Sequence, residues 1–312
     1  TEEKHNVTSY DAMAVMIISL QTLIGLGINA FIASVLCITW VKKKNLNANE
    51  KILLFLGCCR FWYLCIIWMF SFFSIIYPRC TQAYPNPQIF SCFQIFFGYS
   101  NLWVSTFLCI FYCIKIANFR HSCFIYLKGR IDRIVPWLLL GSVLLALIIS
   151  ILVLVLTSKA SHDIIGSIDK GIFWKLNSKL HQKLFPLLIV TGFGFTSAFV
   201  AVLTSALLLL FSLWRHKHKM QTNSGKNFNM DAHIKAMKSI LSFFLLYSFN
   251  FTCLVVALVY AVKRVTLVDM LVFALQYVFP TFHSLVLIFS NPKLEKTLQR
   301  SLSWVKRKVC MR

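Results

Sequence analysis

The chain has 312 residues, 58% of them hydrophobic and only 13% charged, and a formal net charge of +22 at pH 7. Soluble globular chains carry about 25% charged residues, so this composition excludes an ordinary soluble domain. The polar segments left over are too short to bury a core of their own.

Seven apolar runs follow one another, at residues 12–40, 52–77, 88–116, 134–158, 184–214, 234–262 and 266–290. A helix of about 20 apolar residues crosses a bilayer core of roughly 30 Å, and each run reaches that length. The expected fold is an all-α membrane protein, a seven-transmembrane helix bundle over residues 12–290. Residues 1–11 form an extracellular N-terminus and residues 291–312 a cytoplasmic tail. This orientation places 22 of the 32 Lys and Arg residues on the inner side and nine outside. An inner excess of Lys and Arg sets topology, and attraction to anionic inner-leaflet lipid explains the charge. Nucleic acid is therefore not expected as a partner.

Residues 1–11 carry Glu2, Glu3 and Asp11, without the pattern of a cleavable signal peptide, so the first helix is expected to direct insertion. Asn6-Val7-Thr8 is an N-glycosylation acceptor in this outer segment. Asn250-Phe251-Thr252 has the same pattern but falls at membrane depth and is rejected. In the first run, Gly25, Gly27 and Asn29 suggest close helix packing. The second run carries Arg60 near its middle. A charge there costs about 2.5–3.5 kcal/mol on insertion scales, so Arg60 is expected to face inward towards polar groups such as Asn29 and His283. A structural lock and a switch element both suit it.

Cys80 and Cys92 flank the first outer loop and could pair in an oxidising space. Most of the 11 cysteines lie within apolar runs, where free Cys acts as a small buried hydrophobe. No Cys-x-x-Cys pair occurs, so neither zinc nor any other metal is expected. Two connections are long: the outer segment 159–183, with Gly166 and Gly171, and the inner segment 215–233, read as a flexible basic loop. Pro280 is expected to kink the seventh helix. The tail spaces Leu294, Leu298, Leu302 and Val305 at helical intervals between basic residues. It predicts a short amphipathic helix on the inner membrane surface, with Cys310 a candidate for lipidation.

The end of the third run makes a specific resemblance. Trp103, Thr106, Leu108, Phe111-Tyr112 and Lys115-Ile116-Ala117-Asn118-Phe119 resemble the third helix of bitter taste receptors, the type 2 taste receptor family. Leu213-Trp214-Arg215-His216 resembles the family's fifth-helix end, and His233, Ala236, Lys238 and Phe244-Leu245-Leu246-Tyr247 its sixth-helix start. His283-Ser284, Leu287-Ile288, Asn291 and Lys293-Leu294 resemble its seventh-helix end. Gly25, Asn29, Phe31-Ile32 and Arg60 fit the first two helices. These stretches run in order over nearly the whole chain. Several positions depart from the family pattern: Ala198 replaces a fifth-helix proline, Gly98-Tyr99 a polar pair, and Cys59 a serine. The chain is similar to a divergent member.

The resemblance implies a G-protein-coupled receptor of the plasma membrane that detects bitter small molecules. It implies signalling through a gustducin or other Gi-type heterotrimeric G protein to phospholipase C and calcium. Tyr112, Lys115, His216, His233 and Lys238 would then serve G-protein coupling, while Asn29, Arg60, Trp103, His283 and Ser284 would form the switch and core. Agonists are expected in the outer half of the bundle, against Gln94, Gly98, Phe193, Phe195, Tyr247, Asn250, Phe273 and Tyr277. Aromatic walls with a few polar groups suit apolar ligands bearing one or two polar atoms. Membrane lipid, sterol included, is a further expected partner, and no cofactor is expected.

A type 1 vomeronasal-like pheromone receptor is the alternative reading. A transporter would show repeats and midplane charges, and only Arg60 is charged at that depth. An intramembrane enzyme is not expected either: His283 and Ser284 are neighbours on one helix and point about 100° apart.

Overall fold

Long apolar segments in lipid must satisfy every backbone N–H within the segment, and a helix does this. The computed structural model describes residues 9–83, 85–117, 121–168, 173–222, 266–310, and 241–255 apart from 243, 250 and 254. It is helical almost throughout, with no strand among the described residues. The elements are α1 (Ser9–Lys43), α2 (Ala48–Ile76), α3 (Pro78–Gln82), α4 (Asn86–Ile116) and α5 (Ser122–Ile168). They continue as α6 (Phe173–Thr222), α7 (Phe244–Cys253), α8 (Thr266–Ser290) and α9 (Pro292–Cys310). Five of these (α1, α2, α4, α5 and α6) hold stretches long and apolar enough to span a bilayer. Shorter apolar stretches, Phe244–Cys253 and Val278–Ser290, occupy the places of the sixth and seventh spans. The expected seven-helix class stands.

Local chemistry sets several boundaries. α1 ends on Lys42 and Lys43, cations that suit a helix C-terminus, and Lys44 follows with a left-handed φ of 52°. At the start of α2, the Asn47 backbone N–H donates to Glu50 Oε2 at 3.1 Å, one arm of a capping box. Asn291 separates α8 from α9. Its Oδ1 accepts from the Lys293 backbone N–H at 3.1 Å, and Pro292 fills the first helical position, where no N–H is needed.

Two connections differ from expectation. Residues 159–168 continue α5, residues 173–183 belong to α6, and residues 215–222 extend α6 inward. Lys, His, Ser and Leu are ordinary residues of helices, and these segments are built largely of such residues. α5 is helical through Gly166 and as far as Ile168. The first outer loop also holds the short α3, nucleated by Pro78 at its first position. α6 runs unbroken through Ala198, where the family proline is absent.

α4 is the central helix, packed against α2, α5 and α6, while α1 packs on α2 and α8. An inner apolar cluster joins Leu36, Leu53, Leu108, Ile131, Ile288 and Leu294. A second cluster joins Tyr99, Leu102, Ala146, Val202 and Tyr247. Stacked rings bring α7 to α6, with Phe199 4.6 Å from Phe251, and Phe249 lies 5.3 Å from Phe279 of α8. The expected close packing of α1 holds at Gly25, where a Cβ would run into Thr281 Oγ1 and into Leu64 Cδ1 at 2.7 Å. It does not hold at Gly27, where a Cβ would meet nothing within 4 Å. α9 buries Leu294 and packs Leu298 against the bundle, while Leu302 and Trp304 stay exposed, an apolar edge suited to the membrane interface.

Candidate functional site

Arg60 lies on α2 and is 2% exposed. Its Nε donates to Asn101 Oδ1 at 2.8 Å, and Nη1 donates to Ser284 Oγ at 2.8 Å. Nη2 donates to Ser105 Oγ at 3.1 Å and also meets His283 Nδ1. A guanidinium only donates, so Nδ1 of His283 accepts and the ring proton sits on Nε2. Ser284 Oγ in turn has two acceptors at 2.8 Å, Asn29 Oδ1 and the Pro280 carbonyl. Asn29 Nδ2 donates to the Gly25 carbonyl at 2.8 Å. One arginine thus ties α2 to α4 and α8 directly, and to α1 through Ser284. The sequence expectation of Asn29 and His283 as partners holds for His283 directly and for Asn29 through one intermediary.

Asn101 and Ser105 were missed by sequence reasoning. They stand four apart on α4 and therefore share a face. Two polar residues at that spacing in an apolar run, at the depth of Arg60, are the signal that finds them.

Outward of this cluster is a cavity of about 360 Å³. Its walls come from α2, α4, α6, α7 and α8, and its floor includes Arg60, Asn101, Ser105 and His283. Gln94, Gly98, Phe195 and Tyr247 all line it, and the structure brings these four expected ligand residues together. Gly98 keeps the α4 wall low: a Cβ there would already touch Tyr63 at 3.4 Å. Tyr99 meets Phe195 edge-on with ring centroids 5.5 Å apart. Tyr63 and Phe279 also line the space and were not foreseen.

Phe193 is corrected. Its side chain is 75% exposed and does not line the cavity. Two residues along a helix turn a side chain by about 200°, so Phe195 faces inward while Phe193 faces the lipid side. Phe273 and Tyr277 lie on α8. Asn250 lies outside the described residues, as do Asn6, His233 and Lys238.

Trp103 does not join the Arg60 cluster. It packs against the second apolar cluster, with Phe107 5.9 Å away. At the inner end of α4, Tyr112 packs against both apolar clusters. Lys115 Nζ lies 2.5 Å from Asp132 Oδ2 of α5 and 5.8 Å from the Phe111 ring centroid. His216 lies near the inner end of α6. Lys293 Nζ pairs with Glu50 Oε1 at 2.7 Å and fastens α9 to α2. Cys80 and Cys92 are both free thiols. No group of metal-ligating side chains occurs among the described residues.

Comparison with known proteins places this arrangement. The sequence model of the family described as Taste receptor protein (TAS2R) matches residues 7–306. Taste receptor type 2 member 2 of Homo sapiens is 29% identical over 291 residues, covering 92% of this chain and 95% of that protein. Taste receptor type 2 member 13 of Papio hamadryas is 31% identical over 300 residues, 94% and 97% of the two chains. Taste receptor type 2 member 7 of Macaca mulatta is 31% identical over 284 residues, 88% and 87%.

Proposed function

The chain belongs to the TAS2R taste receptor family, and from that premise we propose that it is a plasma-membrane receptor for bitter small molecules acting through a gustducin or Gi-type G protein. It is a G-protein-coupled receptor and not an enzyme, as the family is. The family match favours taste over the pheromone-receptor alternative. Phospholipase C activation and calcium release would follow from the G protein.

The observation that carries the reading is the continuity of cavity and cluster. The floor of the cavity is the arginine that ties α2, α4 and α8 together. A ligand filling the cavity touches the group on which the relative positions of those helices depend. A packed interface of this kind has discrete arrangements, and a ligand that fits one better shifts the balance towards it. Gln94, Gly98, Phe195 and Tyr247 are the ligand contacts in this proposal, joined by Asn250, Phe273 and Tyr277. At the inner end, Tyr112, Lys115, His216, His233 and Lys238 meet the G protein. Asn6 carries the glycan, and membrane lipid, sterol included, contacts the outer faces of the bundle.

The test is calcium release in cells expressing this chain with a chimeric gustducin-type G protein, challenged with a panel of bitter compounds. A concentration-dependent response absent from mock-transfected cells is expected. Silence across the panel, with surface expression confirmed, contradicts the reading.

A further inference from the structure

We propose that the cavity takes ligands carrying one anionic head, a carboxylate or sulfonate, on a compact apolar body, with the head seated against Arg60. This rests on the cavity being the ligand site; it adds the chemical class of ligand.

A full positive charge buried away from water is normally paired with an opposite charge. Arg60 is 2% exposed, yet every partner it has among the described residues is neutral: Asn101, Ser105, Ser284 and His283. These four bonds account for four of the five N–H groups of a guanidinium. No described carboxylate supplies the missing charge. Glu50 pairs with Lys293 and Asp132 with Lys115, both at the inner surface. Asp269 shares α8 with His283 but stands 14 residues further along the helix, about 21 Å at 1.5 Å per residue.

Arg60 nevertheless lines the cavity, and it is the one charged side chain among the lining residues. The rest of the wall is apolar or neutral, with Phe195, Leu246 and Phe279 prominent. Along α4 the lining runs from Ser91 to Ser105, about 21 Å of helix, long enough for a ring and a short chain above the charged head. A carboxylate at the floor completes the ion pair in a low-dielectric site, where charge-assisted hydrogen bonds are strongest. An amide of the same shape accepts a hydrogen bond there but leaves the charge unpaired.

Thermal unfolding of the purified full-length receptor tests this without signalling, because a ligand that binds the folded state raises the midpoint. The probes are 4-phenylbutyrate and its isosteric amide, 4-phenylbutyramide, at millimolar concentrations in a Tris–sulfate buffer that contains no organic acid. The acid is expected to bind about tenfold more tightly than the amide, the difference between a charged and a neutral hydrogen bond. Asn101→Asp sets a carboxylate against Arg60 Nε with almost no change of shape, and should erase that preference. Equal binding of acid and amide, no shift from either, or a preference that survives Asn101→Asp overturns the proposal. So does chloride reproducing the whole shift when it replaces sulfate, which would make this a site for an inorganic ion. A calcium response to neutral bitter compounds is independent of all these outcomes, so the receptor reading stands or falls separately.

Discussion

Arg60 and Lys115 are both cations of the bundle, but their surroundings are opposite. Arg60 is sunk between helices among neutral hydrogen-bonding groups, whereas Lys115 and Asp132 form an ion pair with side chains 36% and 59% exposed. An exposed ion pair contributes about 0–1 kcal/mol, because water and salt screen it. A buried cation costs desolvation and repays it only through well-placed partners. The same charge therefore ties helices together at mid-depth and forms a solvated ion pair at the inner end of α4.

Substitutions at the two regions should separate accordingly. The largest effect is expected from Arg60→Leu, which leaves Asn101, Ser105, Ser284 and His283 without their common donor. Each charge-assisted hydrogen bond lost there contributes about 1.5–3 kcal/mol, so surface expression should collapse; wild-type expression would show that the cluster does not hold the bundle. Ser284→Ala removes the bonds to Arg60 and Asn29 and should cost about 1.5–3 kcal/mol, read as a lowered unfolding midpoint in detergent. Lys293→Ala breaks the tie to Glu50, whose side chain is 15% exposed. It should cost about 1 kcal/mol and loosen α9, read as faster amide exchange over residues 292–300. The smallest stability change is expected at Lys115→Ala, within about 1 kcal/mol. Its effect should instead be weaker G-protein activation with agonist binding preserved; loss of binding would place Lys115 in the wrong region.

The seven spans, the basic inner side and Arg60 were legible because each rests on composition: long apolar runs, and one charge where charges are costly. His283 was expected to face Arg60 as a polar group at membrane depth, Ser284 followed from the family resemblance, and both lie within hydrogen-bonding distance of Arg60. Asn101 and Ser105 stayed hidden because neutral polar residues are ordinary in a transmembrane helix and only the arginine gives them meaning. The outward face of Phe193 was equally hidden. In a lipid-embedded helix both faces are apolar, so hydrophobic periodicity does not tell the cavity side from the lipid side. The extensions of α5 and α6 were hidden because polar composition resembles a loop, although residues 173–183 and 215–222 hold neither Gly nor Pro.

The central claim is that the cavity above Arg60 is where ligands act, and Gly98→Trp tests it most directly. Gly98 lines the cavity wall facing Tyr63, and an indole there takes up space inside the cavity. In calcium assays normalised to surface expression, Gly98→Trp is predicted to abolish the response to agonists of the unsubstituted receptor while the protein still reaches the surface. Unchanged agonist potency in that variant would contradict the account.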